Sequence, residues 1–210
     1  MDVSRETSPP DAAQVIFGDR VEAVSAYVDM LADAGVVRGL IGPREVPRLW
    51  ERHVLNCGVV APALPADAAV ADIGSGAGLP GMVWAIARPD VRMTLIEPLL
   101  RRTSFLEEVA SDLGVDNVTI LRARAEDVRA QYDIVTSRAV AALDKLARWS
   151  LPLVRPGGQM WAIKGSSAAE EIREAQSTVR AAKGTNARVT TYGEGVVDTP
   201  TTMVMIDKVG

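Results

Sequence analysis

Between residues 72 and 81 the chain reads Asp72-Ile73-Gly74-Ser75-Gly76-Ala77-Gly78-Leu79-Pro80-Gly81, four glycines within eight positions. Glycine accepts backbone conformations closed to other residues and lets the main chain approach a ligand closely. The apolar run Val70 to Ile73 before the cluster predicts a strand, and Met82, Val83 and Ile86 after it predict a helix, with Pro80 suited to its first turn. Ligands of doubly wound sheets bind beyond the carboxyl ends of the strands, where such a loop falls. Three acidic positions keep register with three consecutive strand ends: Asp72, Glu97 after Met93 to Ile96, and Glu126, preceded by Ala125, after Val118 to Leu121. Glu97 is placed to accept hydrogen bonds from both hydroxyls of a ribose.

Two ligands fit this pattern. Gly76, Gly78 and Gly81 match G-x-G-x-x-G, and Glu97 follows about 20 residues later, as a dinucleotide fingerprint requires. In that fingerprint, however, the first glycine directly follows the strand, whereas Gly74 and Ser75 intervene here. Read as Gly74-x-Gly76-x-Gly78 after Asp72, the loop resembles motif I of class I S-adenosylmethionine methyltransferases, whose donor carries no pyrophosphate. In such enzymes the residues after the third strand read the adenine edge. The three acids favour S-adenosylmethionine over a nicotinamide cofactor.

The elements that position these residues follow from patterning. The chain has 210 residues, 48% of them apolar and 24% charged, which suits one globular domain with an extension. Val15, Val21, Val24, Val28 and Leu31 recur at helical spacing up to Gly35, and a second helix starts near Pro43 with Val46, Leu49, Trp50, Val54 and Cys57 on its apolar side. Pro62 and Pro65 then mark a boundary, so residues 1–65 are expected to form a helical cap and residues 66–210 a methyltransferase domain. Beyond the boundary, strands alternate with helices: Val118 to Leu121, Tyr132 to Thr136, a helix around Leu143 to Leu151, Gln159 to Ile163, and a polar helix from Ser167 to about Lys183. That order predicts an α/β doubly wound, mostly parallel, Rossmann-like sheet. Arg188 to Tyr192 and Met203 to Lys208 lack a helix between them and predict an antiparallel edge hairpin.

The same composition excludes other chemistry. One cysteine, Cys57, and one histidine, His53, leave neither a disulfide framework nor a zinc site, so no metal is expected. The opening MDVSRETSPPD has no apolar core of a signal peptide, and the uncharged stretch from His53 to Ala66 is too short to span a bilayer, which predicts a cytoplasmic protein with no membrane contact. With 23 basic against 27 acidic side chains the net charge is −4, which argues against broad coating of nucleic acid. The charge is uneven: residues 1–65 carry 6 basic and 9 acidic groups, residues 66–136 carry 7 and 11, and residues 137–210 carry 10 and 7. Arg138, Lys145, Arg148, Arg155 and Lys164 face only Asp144 before residue 165, a run able to form a local basic surface. Trp50, Trp84, Trp149 and Trp161 each sit in an apolar pattern and are expected in the core.

Taken in order, the motifs resemble one family, the small-subunit ribosomal RNA methyltransferase G family, also called glucose-inhibited division protein B. The matching pieces are Trp50-Glu51-Arg52-His53, the loop Asp72 to Gly81, and Glu97 followed by Arg101, Arg102, Phe105 and Leu106. They continue through Arg122-Ala123-Arg124-Ala125-Glu126, Asp133, Ser137-Arg138-Ala139, Gly157-Gly158 and Lys164-Gly165, covering roughly residues 10 to 165. The family commonly has Asp-Ser after the histidine, where this chain has Asn56-Cys57, so hydrogen bonding is kept there and a carboxylate is lost. The resemblance implies methyl transfer from S-adenosylmethionine to N7 of one guanosine in the 530 loop of 16S rRNA, leaving S-adenosylhomocysteine. It implies cofactor contacts at Gly74, Leu79, Ala125, Glu126 and Arg138, with Glu97 joining at the ribose, and Asp72, Ser75, Gly76 and Gly78 of the same loop are expected to contact the cofactor as well.

Guanine N7 offers an in-plane lone pair and no proton, so direct displacement needs no general base, and catalysis is expected to rest on alignment. Arg138, Lys164 and His53 are the expected positioning residues, and Arg52, His53, Arg138 and Lys164 the expected RNA contacts. The low net charge predicts weak binding to naked RNA, so the expected substrate is 16S rRNA within a small-subunit particle, met by a monomer without protein partners. Three rival readings remain at this level: a methyltransferase for a small metabolite, a non-catalytic nucleotide-binding module, and a nicotinamide-linked oxidoreductase.

Overall fold

The computed structural model describes residues 8–138 and 141–210; the first seven residues of the opening segment, and Ala139 of the Ser137-Arg138-Ala139 motif, lie outside them. Seven strands form one sheet in the order β3-β2-β1-β4-β5-β7-β6. They span Ala69–Ile73 (β1), Arg92–Ile96 (β2), Val118–Leu121 (β3), Tyr132–Arg138 (β4), Val154–Lys164 (β5), Gly184–Tyr192 (β6) and Thr201–Lys208 (β7). The first five pair in parallel; β7 runs antiparallel between β5 and β6 and closes the hairpin. This is the doubly wound sheet with an antiparallel edge that the element order predicts. β5 begins earlier than its apolar run suggests, because an irregular segment around Gly157 and Gly158 shifts its register against β4. A Cβ at Gly158 would meet the Asp133 carbonyl, so the close strand approach requires glycine there.

Strand residues alternate between two apolar clusters, as the period of two demands. Val70, Met93, Leu95, Ile134, Trp161, Met203 and Met205 face one side, which α4 (Gly81–Ala87) and α5 (Leu100–Asp112) cover. Ala71, Ile73, Ile96, Val135, Met160, Val204 and Ile206 face the other, covered by α6 (Leu143–Ser150) and α7 (Ala168–Ala181). The N-terminal elements α1 (Asp11–Phe17), α2 (Val21–Met30) and α3 (Leu55–Gly58) pack into the first cluster, so the cap and that sheet face share one core across the Pro62–Pro65 boundary.

Three local expectations in the cap are corrected. Val15 is 74% exposed, because α1 turns Ala13 and Phe17, four residues apart, toward the core instead. Gly35 does not end α2: it is buried without positive φ, the helix winds through a π turn at Leu31–Gly35, and the chain reverses at Gly39, where φ is 66°. The stretch expected as one helix from Pro43 is a 3₁₀ segment, Pro43–Arg48, a π segment, Leu49–Val54, and then α3, with Val46, Leu49, Trp50, Val54 and Cys57 all buried as expected.

Candidate functional site

The glycine loop leaves β1 at its carboxyl end and crosses the sheet edge to α4, with Gly74, Gly76 and Gly78 at φ of 68°, 59° and 101°. Those conformations explain the glycines directly. At Gly78 and Gly81 space is also decisive: a Cβ on Gly78 would lie 2.9 Å from the Tyr27 hydroxyl, and one on Gly81 would overlap Leu95. The loop is held from three sides. The Asp72 carboxylate accepts from the Gly81 amide at 3.0 Å, the Ser75 hydroxyl donates to the Asp72 carbonyl at 2.8 Å, and Tyr27 of α2 donates to the Ala77 carbonyl at 2.7 Å.

Glu97, at the end of β2, is 1% exposed and holds the fourth side. Its carboxylate accepts from the Gly76 amide at 3.0 Å, the Leu99 amide at 3.1 Å and the Arg102 guanidinium at 3.3 Å. A carboxylate has about four acceptor sites, so capacity remains for a hydroxyl. Burial raises the Asp72 pKa to about 7, over the opposing Gly81 amide and Ser75 hydroxyl and with Glu97 adding to the rise.

A cleft of about 550 Å³ opens above these strand ends, lined among others by Gly74, Glu97, Ala125, Glu126, Arg138 and Trp149. Of the ten expected cofactor positions, five line this cleft. Asp72, Ser75, Gly76, Gly78 and Leu79 are not on its wall; Asp72 and Ser75 are buried beneath the loop and shape it from behind. Trp149, expected in the core, is half-buried on the cleft wall, while Trp50, Trp84 and Trp161 are buried as expected.

Arg138 ends β4 on the side of the cleft facing the cap. Its guanidinium donates to the Arg52 carbonyl at 3.2 Å, lies 2.6 Å from Nδ1 of His53, and reaches the Cys57 sulfur at 3.6 Å. Nε2 of His53 lies 2.9 Å from Glu45, which also pairs with Arg52 at 3.2 Å. Burial first, and the Arg138 charge second, push the His53 pKa below its ordinary value against the pull of Glu45.

Lys164 departs from its expected role. Its side chain is 8% exposed, with Nζ 2.7 Å from Glu171 and 2.7 Å from the Ala141 carbonyl, so it braces the chain beyond Arg138 rather than facing phosphate. Against the upward push of burial, Lys164, the Ser167 hydroxyl and the Leu143 amide hold the Glu171 carboxyl below its usual range. The basic run is neutralised further by the Arg148–Asp144 and Arg155–Asp133 pairs. Sequence reasoning passed over Tyr27, Glu45 and Glu171. A tyrosine on an apolar helix face, whose hydroxyl needs a buried partner, is the one usable signal among them.

Among the described residues no group of three or more His, Cys, Asp or Glu is arranged for a metal ion, and no helix is long and apolar enough to cross a membrane. Residues 20–199 match the family described as GidB, rRNA small subunit methyltransferase G. The chain is 58% identical over 205 residues to Ribosomal RNA small subunit methyltransferase G of Corynebacterium glutamicum strain R, covering 95% of this chain and 92% of that one. Among solved structures it resembles a predicted O-methyltransferase of Agrobacterium tumefaciens, at 17% identity and a TM-score of 0.59 over 74% of this chain and 81% of that one. It also resembles TYW2 of M. jannaschii in complex with AdoMet, at 15% identity and a TM-score of 0.59 over 76% of each chain. The fold is that of the class I S-adenosylmethionine methyltransferases.

Proposed function

Because the chain belongs to the rRNA small subunit methyltransferase G family, we propose that it methylates N7 of one guanosine in the 530 loop of 16S rRNA. The observation that carries this reading is the cleft itself, with Gly74 and the loop-anchoring Glu97 on one wall and the cap-held Arg138 on another. Its volume lies within the range of about 300–1,000 Å³ typical of small-ligand sites. The residues present fit S-adenosylmethionine: Glu97 toward the ribose hydroxyls, Ala125 and Glu126 toward the adenine edge, and Gly74 where the backbone must come close, with Leu79 in the same loop.

When bound, S-adenosylmethionine supplies an electrophilic methyl group that the N7 lone pair takes by direct displacement. N7 carries no proton, so the chain needs to hold no base at the reaction centre. Its task is alignment, a contribution worth up to roughly 7–11 kcal/mol in favourable cases. Arg138, a cation, is repelled by a sulfonium and turns its charge to an anion, either the donor carboxylate or an RNA phosphate. Arg52, 58% exposed beside it, faces the acceptor side as an RNA contact. Lys164 supports this arrangement from within the fold.

The acceptor is a small-subunit particle, recognised by shape and exposed bases, and the protein works as a cytoplasmic monomer. Transfer of labelled methyl from S-adenosylmethionine into small subunits lacking the modification tests the reading, with deproteinised 16S rRNA in parallel and nucleoside analysis by mass spectrometry. Label recovered as 7-methylguanosine, mainly from the particle, is expected. Intact S-adenosylhomocysteine binding with no label in either sample would assign the cleft to another acceptor.

A further inference from the structure

We infer that His53 is a positioning residue: its imidazole, fixed by Glu45, aims the Arg138 guanidinium at an anion in the cleft, a carboxylate or a phosphate. Arginine donates and never accepts, so the short contact from Arg138 to Nδ1 of His53, 2.6 Å, requires a lone pair on that nitrogen. The imidazole proton therefore sits on Nε2, 2.9 Å from the Glu45 carboxylate. Glu45 thus selects the tautomer, and the tautomer selects where Arg138 points.

The acceptors that hold Arg138 are themselves neutral: the Arg52 and His53 carbonyls, the imidazole, and a Cys57 thiol whose pKa burial raises. A guanidinium held directly by a carboxylate would arrive in the cleft already neutralised. Here the cap sets the Glu45 charge one imidazole away, and Arg138 keeps its own for a ligand. Glu45, Arg52 and Arg138 are the charged groups that face His53. A protonated imidazole would present N–H to N–H, so acid releases the guanidinium from the ring.

The inference rests on the proposed methyl transfer for the identity of the anion, and its test separates the two. The full-length protein is compared with His53→Ala and His53→Asn, each shown to fold by its thermal transition. The asparagine oxygen takes nearly the place of Nδ1 and accepts from Arg138 without titrating. Affinities for S-adenosylhomocysteine and for 5′-methylthioadenosine, which lacks the carboxylate, are measured from about pH 5.5 to 8, with kcat and KM on unmethylated small subunits.

His53→Ala is expected to lose about tenfold in one of two places, the loss of one charge-assisted hydrogen bond. Weaker S-adenosylhomocysteine with unchanged 5′-methylthioadenosine assigns the carboxylate; unchanged nucleotide affinities with raised KM assign a phosphate. His53→Asn is expected to recover to within about threefold of wild type and to flatten the acid limb. Asp72 titrates in the same range in both proteins and cancels from that comparison. Wild-type behaviour of His53→Ala, no recovery in His53→Asn, or an acid limb unaltered by the asparagine would each overturn the inference. Wild-type protein that binds S-adenosylhomocysteine yet methylates no subunit refutes the acceptor reading alone. The nucleotide measurements then decide His53 by themselves, with an unchanged S-adenosylhomocysteine affinity overturning the inference.

Discussion

Tyr27 and Ala77, fifty residues apart, are joined by a 2.7 Å hydrogen bond from a fully buried phenol to a carbonyl of the glycine loop. The cap therefore braces the glycine loop beside the cleft. Tyr27→Phe keeps the ring and leaves the Ala77 carbonyl without this donor, at a cost of about 1–2 kcal/mol. Chemical denaturation should show that loss, and calorimetry a weaker S-adenosylhomocysteine complex. Full affinity in the variant would show that the loop needs no brace from the cap.

Asp72 carries a pH signature. Its folded pKa, raised by burial to about 7, lies above the ordinary aspartate value of about 3.9. Between those values the folded chain holds a proton that the unfolded chain releases, so stability falls as pH rises through the window and levels off above it. Asp72→Asn still accepts from the Gly81 amide and has no proton to lose. The stability of the variant relative to wild type should therefore improve by about 2–4 kcal/mol from pH 4 to 7. Parallel stability curves for the two proteins would refute a raised Asp72 pKa.

Lys164→Ala separates bracing from RNA contact. Removing the ammonium leaves Glu171, 18% exposed, next to a buried gap, at a cost of about 2 kcal/mol, below the 3–5 of a fully buried pair. The salt dependence of binding to ribosomal subunits should stay unchanged, because no phosphate contact is lost. A slope shallower by about one contact would return Lys164 to the RNA surface.

Asn56 does something a carboxylate cannot. Its side-chain amide donates to the Thr199 carbonyl at 3.1 Å, while its backbone carbonyl accepts from the Thr201 hydroxyl at 2.7 Å, which ties the β6–β7 loop to the cap. Asn56→Asp replaces the donor with a charge facing a carbonyl. A loss of about 1 kcal/mol and faster amide exchange around Thr199 are expected. Unaltered exchange would mean that the loop is held by Thr201 alone.

The succession of strands and helices and the glycine loop were legible because periodicity and turn chemistry are local. Val70 to Ile73 announces a buried strand and Gly74 to Gly81 its turn. Two strands converge on the loop through Asp72 and Glu97, so those acids were legible as well. The side-chain partners were not. Lys164 and Arg155 look like surface cations until tertiary packing brings Glu171 and Asp133 against them. Glu45 and His53 lie eight residues apart across Pro47, where 3₁₀ and π geometry replaces the α-helical period and no spacing rule reveals the contact. Val15 misled for a related reason: a seven-residue helix is too short for a repeat to establish which face it buries.

The pairing of the basic run also bears on how fast this protein can find its partner. Cations bound to Asp144, Asp133 and Glu171 contribute almost no field at a distance, and the chain as a whole is acidic. On the proposed reading, approach to an RNA-rich particle gains no steering from this run, and association stays at or below about 10⁵–10⁶ M⁻¹s⁻¹. Selectivity for the proposed acceptor would then lie in residence time rather than in capture.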